Sequence, residues 1–126
     1  MKLHHVGVAC KNISEEIANI SGIHDVIKTS PIVFDPQQNA EVAMLTLADG
    51  TNIELISGKP VETLLKKHIT YYHLCFEVDD INAEITRLVN NNALLISPPK
   101  PAVLFNNRPV AFLQVSYGLI ELLSSK

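Results

Sequence analysis

The chain repeats itself. A shift of 68 positions lays His5 on His73, Asn12-Ile13 on Asp80-Ile81 and Val42-Ala43-Met44-Leu45 on Val110-Ala111-Phe112-Leu113. One deleted residue later, Ile53-Glu54-Leu55 lies on Ile120-Glu121-Leu122. Self-similarity over a fixed offset constrains a fold more than local propensity does, because each copy must form the same supersecondary unit. Each copy also carries one histidine and one glutamate at matching places.

The local signals within each copy agree. Residues 3–9 alternate around Val6 and Val8 and read as a strand. Asn12 with Glu15 resembles a capping box and opens a short helix ending near Ser21-Gly22. Segment 23–40 reads as irregular, broken by Pro31, Pro36 and Asn39. A hairpin over 41–47 and 52–57 turns at Asp49-Gly50, and segment 58–70 links the copies with Val61, Leu64, Leu65 and His68 at helical spacing. In the second copy, residues 71–78 form a strand. Asp79 or Asp80 caps a helix whose stripe is Ile81, Ile85, Leu88 and Val89, and Asn90-Asn91-Asn92 ends it. A strand over 93–97 runs into Pro98-Pro99-Lys100-Pro101, which by its missing N–H donors is expected to stop the ladder. A last hairpin covers 109–115 and 119–124. The expected fold is α+β: two tandem βαβββ modules with pseudo-two-fold symmetry, forming a curved mixed sheet in one domain over 1–126. Module one covers 1–57, the linker 58–70 and module two 71–126.

Strand alternation assigns faces. Tyr72, Leu74, Phe76 and Val78 share an apolar face, opposite His73, Cys75 and Glu77. Val6 and Val8 oppose His5, while Ile53 and Leu55 flank Glu54 and Ile120 and Leu122 flank Glu121. A curved sheet aims His5, Glu54, His73 and Glu121 into one concavity. Taken singly, each is explained by a satisfied core histidine or a glutamate on a solvated face. The joint pattern favours a divalent metal. A carboxylate between apolar neighbours costs several kcal/mol to bury unpaired, and a cation would remove that cost. Mixed imidazole and carboxylate ligation suits Zn, Co, Ni, Mn or Fe. His4, His24 and His68 read as structural or solvated, Cys75 as a small core residue and Glu41 as a solvated strand end.

Bulk properties exclude other classes. A net charge of −3 and the absence of Trp give no reason to expect nucleic acid or an anionic membrane. No 18-residue apolar run or signal-peptide pattern is present. Cys10 and Cys75 do not make a disulfide framework, so a reducing cytoplasm is the default expectation.

The succession HHVGVA, NIELIS, YHLCFEVDDI, RPVAFL and LIELL resembles the vicinal oxygen chelate superfamily, the group of glyoxalases, bleomycin-resistance proteins and dioxygenases. Within it the chain is most similar to the methylmalonyl-CoA epimerases. The resemblance spans nearly the whole chain and is closer in the second copy. It places the family's metal ligands on His5, Glu54, His73 and Glu121. It also implies two acid/base groups, Glu121 and, by a looser match, Glu41. The implied activity is epimerisation of a 2-substituted acyl thioester, an acyl-CoA, through a metal-stabilised enolate. Among the basic residues, Lys66, Lys67, Lys100 and Arg108 are candidates for CoA phosphates, though ordinary solvated charge explains each. The alternatives are a glyoxalase I-like isomerase (lactoylglutathione lyase) and a non-catalytic antibiotic-binding module. A homodimer is implied by resemblance alone. Two departures leave the acyl group open: NISEEIANISGI lacks the family's Phe-Tyr pair, and PKPAVLFNNRPVAFL replaces its glycine-rich loop.

Overall fold

A computed structural model describes residues 1–126. Two compact units are present, one of residues 5–72 and one of residues 1–4 with 73–126.

The first unit starts in strand β1 (Lys2–Ala9), whose residues from His5 onward belong to it. Helix α1 (Ile13–Ile23) follows, with Asn12 Oδ1 accepting the Glu15 N–H at 2.9 Å as the capping pattern predicts. Segment 23–40 is not irregular throughout. It holds β2 (Val26–Thr29) and the three-residue β3 (Val33–Asp35), both antiparallel to β4 (Ala40–Leu47). Both are short, and most of their side chains are exposed, so alternation leaves little trace in the sequence. Strand β4 turns through Gly50, at φ +90°, into β5 (Asn52–Gly58). A 3-10 turn and the short helix α2 (Glu62–Lys66) fill the linker. The strand order is β2-β4-β5-β1, with β5 antiparallel to β4 and parallel to β1.

The second unit repeats this plan without a counterpart of β3. Strand β6 (Tyr71–Val78) leads to helix α3 (Ile81–Val89), capped by Asp80, whose Oδ1 accepts the Ala83 N–H at 3.0 Å. Then come β7 (Leu94–Ala102), β8 (Arg108–Val115) and β9 (Gly118–Ser124), in the order β6-β9-β8-β7. Again the last strand is parallel to the first, β9 to β6. The expectation that Pro98-Pro99-Lys100-Pro101 ends the ladder is overturned, because β7 runs through all four residues. It ends its sheet and pairs only with β8, with register shifts between Leu95 and Lys100. An edge strand with slipped register tolerates missing donors.

In each unit the helix covers one sheet face. Ile13, Ile17 and Ile20 of α1 pack with Val8, Ala43, Leu45, Ile53 and Leu55. Ile81, Ile85 and Leu88 of α3 pack with Phe76, Val78, Ala111, Leu113, Ile120 and Leu122. Val8, Ile53, Leu55, Phe76, Val78, Ile120 and Leu122 are residues that alternation alone puts on the apolar face, and Ala43, Leu45, Ala111 and Leu113 join them by cross-strand pairing. No helix is long and apolar enough to cross a membrane.

Candidate metal centre

The face away from each helix carries the histidine and the glutamate. In the first unit, parallel pairing sets Gly7 opposite Glu54. His5, two residues before Gly7 on the same face, therefore reaches Glu54 diagonally, with Nε2 3.4 Å from Oε1. In the second unit Cys75 stands opposite Glu121, and His73, two residues earlier, places Nε2 3.2 Å from Oε1. Both pairs thus come from one register rule: histidine on the first strand of the module, glutamate on the last. All four residues are at most 5% exposed.

The repeat extends to the apolar neighbours of the two glutamates on the ligand-bearing face. Glu54 is cross-strand partner of Met44, and Glu121 of Phe112. These occupy equivalent positions in the repeat. Phe112 meets the His73 ring edge-on, with centroids 5.5 Å apart at 87°, which fixes the imidazole's orientation.

Each pair fits a metal better than it fits an ion pair. An imidazolium–carboxylate hydrogen bond is about 2.7–2.9 Å long. The observed 3.4 and 3.2 Å are longer. Two ligands about 2.1 Å from one ion, at 90° to 109°, stand about 3.0–3.4 Å apart. Burial points the same way. Taking two charges out of water costs several kcal/mol per ion, and mutual attraction seldom repays it. A divalent cation keeps the carboxylate ionised and the imidazole neutral. Each of the four side chains offers one ligand atom, an imidazole nitrogen or a carboxylate oxygen.

Glu41 is not brought to this face. It lies in β4 opposite Ser57, in continuous register with Ala43 opposite Leu55, so it shares the helix-side face with Ala43, Leu45 and Leu55. Its side chain is exposed. Glu54 projects from the other face, one residue out of phase with Leu55. The looser match to Glu41 thus fails on strand parity, which a shift of one residue reverses.

The remaining polar residues fall elsewhere. His4 stacks edge-on against Phe105 at 5.5 Å. His24 caps α1, its backbone N–H bonding to Ile20 O, and His68 is an exposed residue at φ +59°. Arg108 is occupied within its own unit, 3.1 Å from Glu77 and 3.2 Å from Ser124 O. Cys10 lies among the core residues under α1, and burial, reinforced by Glu16, raises its thiol to about 11. It stays protonated and inert at neutral pH. Cys75, fully buried, lines the ligand-bearing face beside His73.

Two strand–helix–sheet units, each with a buried His/Glu pair where its last strand lies beside its first, define a class of small mixed-sheet proteins. The chain belongs to the Glyoxalase/Bleomycin resistance protein/Dioxygenase superfamily, whose model matches residues 4–112. Among curated relatives, it is 28% identical over 118 residues to "Methylmalonyl-CoA epimerase, mitochondrial" of Dictyostelium discoideum, covering 89% of this chain and 69% of the relative. It is also 28% identical over 118 residues to "Ethylmalonyl-CoA/methylmalonyl-CoA epimerase" of Cereibacter sphaeroides, covering 89% and 87%. The fold is similar to that of a methylmalonyl-CoA epimerase from Mycobacterium tuberculosis, with TM-score 0.79, 20% identity and coverage of 99% and 88%.

Proposed function

We propose that the protein is a metal-dependent proton-transfer enzyme that epimerises a 2-substituted acyl thioester, with His5, Glu54, His73 and Glu121 holding one divalent ion. One observation carries the reading: the same buried His/Glu pair, built by the same register, occurs in both halves. The epimerase names of the two curated relatives support the substrate class.

A bound divalent ion supplies positive charge that polarises the thioester carbonyl and so acidifies the neighbouring C–H. The chain's own residues do the rest. Glu121 would take the α-proton at its carboxylate, acting as a base beside the reacting carbon. Epimerisation also needs an acid on the opposite face. With Glu41 behind the sheet, Glu54, which matches Glu121 in burial and histidine neighbour, is the candidate, and it would have to enter that step protonated rather than as an ionised ligand. On one side of its face Glu54 is flanked by the apolar Met44, Val42 and Ile56, with Thr46 and Asn52 on the other, and in the second unit Phe112, Val110 and Leu123 flank Glu121 in the same way. Such walls exclude water and strengthen local electrostatics.

The test is metal analysis of purified protein, followed by solvent deuterium exchange into a panel of acyl-CoAs and glutathione hemithioacetals. One ion per chain and exchange into a 2-substituted acyl-CoA are expected. Exchange confined to hemithioacetals would move the assignment to a glyoxalase I-like isomerase. No exchange by metal-loaded protein would leave a binding module. The expectation of a homodimer rests on the family likeness, and light scattering of the eluting protein checks it.

A further inference from the structure

A cavity of about 440 Å³ opens in the first unit, away from the His5–Glu54 pair and lined by Lys11, Glu62, Leu65, Lys66 and His68. Its walls are tied to one another. Ser57 Oγ donates to Lys11 O at 2.9 Å, and Cys10 N to Ile56 O at 2.9 Å, which pins the chain as it leaves β1. Ala9 N donates to Thr70 O at 2.7 Å, holding the segment after His68 against the end of the same strand. His68 sits at φ +59° in a turn closed by Lys67 N to Leu64 O and Ile69 N to Leu64 O. Val61, fully buried, anchors the other end of α2. The backbone that carries the lining is therefore held in place, while Lys11, Glu62, Lys66 and His68 themselves are exposed.

Its charge is unbalanced. Its lining holds two lysines against one glutamate, Glu62, with His68 beside them, in a chain of net charge −3. Neither Lys11 nor Lys66 is in an ion pair, whereas Arg108 and Arg87 are both held by glutamates. An apolar floor, Leu65, completes the lining. The position suits one end of a long substrate. Along β1, Ala9 lies about 13 Å beyond His5 at the usual strand rise, and Lys11 is two residues further. We propose that this cavity binds the phosphate-bearing nucleotide end of a CoA thioester, with Lys11 and Lys66 as its cation pair. The inference rests on the acyl thioester reading above. It narrows the choice among basic residues, since Arg108 is occupied and Lys67 and Lys100 do not line the cavity.

The probe is adenosine 3′,5′-bisphosphate, which carries the nucleotide phosphates and no acyl group, with inorganic phosphate alongside. Titration followed by calorimetry and by amide NMR shifts should show binding that weakens with salt and perturbs residues 61–68. In a Lys11→Ala/Lys66→Ala variant affinity should fall about two- to thirtyfold, the product of two exposed ion contacts. A Lys28→Ala variant on exposed β2 should leave it unchanged. In exchange assays the double variant should raise KM for the acyl-CoA by the same factor and keep kcat. The same acyl group on N-acetylcysteamine, which has no phosphate, should be unaffected. Equal affinity of wild type and double variant for the nucleotide overturns the proposal even if exchange is normal, and leaves the epimerase reading standing. Inorganic phosphate binding as tightly as the nucleotide overturns it in favour of a free-anion site. Mapped nucleotide binding without any exchange would keep this cavity's assignment and reject the epimerase.

Discussion

Replacing His73 with alanine tests the centre through the stability of the fold as well as through metal binding. His73 is 5% exposed, its Nε2 stands 3.2 Å from Glu121, and its ring packs edge-on against Phe112. The substitution removes the ring contact, opens a cavity and strips Glu121 of its imidazole. Breaking a buried charged pair from one side costs about 3–5 kcal/mol. The unfolding entropy of a 126-residue chain is about 0.26 kcal/mol/K, taking about 2.1 cal/mol/K per residue. The expected loss is therefore roughly 11–19 °C in Tm, measured by calorimetry on chelator-treated protein. Replacing both partners, as in His73→Leu/Glu121→Met, should recover much of that loss, because paired apolar groups carry no desolvation cost. Wild type should gain roughly 10 °C from divalent metal at a hundred times its Kd, since ligand binding then adds about 2.7 kcal/mol. Both variants should gain almost nothing. A His73→Ala Tm within about 4 °C of wild type, with full metal stabilisation retained, would refute the assignment of His73 as both core partner and ligand.

Further substitutions separate the ligand-bearing face of each unit from its helix-covered face. Glu121→Gln should retain some metal by elemental analysis, yet cut α-proton exchange by at least about two orders of magnitude, the usual general acid–base contribution. Glu54→Gln should slow epimerisation more than exchange, as read by chiral chromatography beside deuterium incorporation. Glu41→Gln, altering an exposed side chain behind the sheet, should leave metal content and exchange within about twofold, and a large loss in either would sink the face assignment. Gly58→Ala should cost about 1–3 kcal/mol by urea unfolding, because Gly58 sits at φ +128° and a Cβ would lie 3.1 Å from Asn39 O. Cys10, with its thiol raised from 9.0 to about 11, keeps its proton in the folded state where the unfolded chain has lost it. Its contribution to stability is thus whole below pH 9 and declines as pH rises from 9 to 11, while thiol labelling under native conditions at pH 8 should be slow and should accelerate on unfolding.

Much of this protein is written locally. The 68-residue offset already places His5 against His73, and alternation alone separates Ile53 and Leu55 from Glu54. The capping residues Asn12 and Asp80 mark their helices because a side-chain oxygen followed three residues later by a free N–H is a local contact. These features survive in one dimension since side-chain periodicity and first-turn capping depend only on neighbours a few residues apart. Three other features were decided by pairing between distant segments. Strand β7 accepts Pro98, Pro99 and Pro101 because it lies at the edge of its sheet, and edge position is a property of topology. Strands β2 and β3 exist because β4 offers them unpaired backbone, although few of their own side chains are buried. Glu41 lies behind the sheet because β4 pairs β5 without a bulge, so that Met44 and not Glu41 shares the face of Glu54. A family match carried across loops of different length can slip by one residue, and one residue is half the strand period. Only the hydrogen-bonded register fixes which side chains stand beside the candidate ligands.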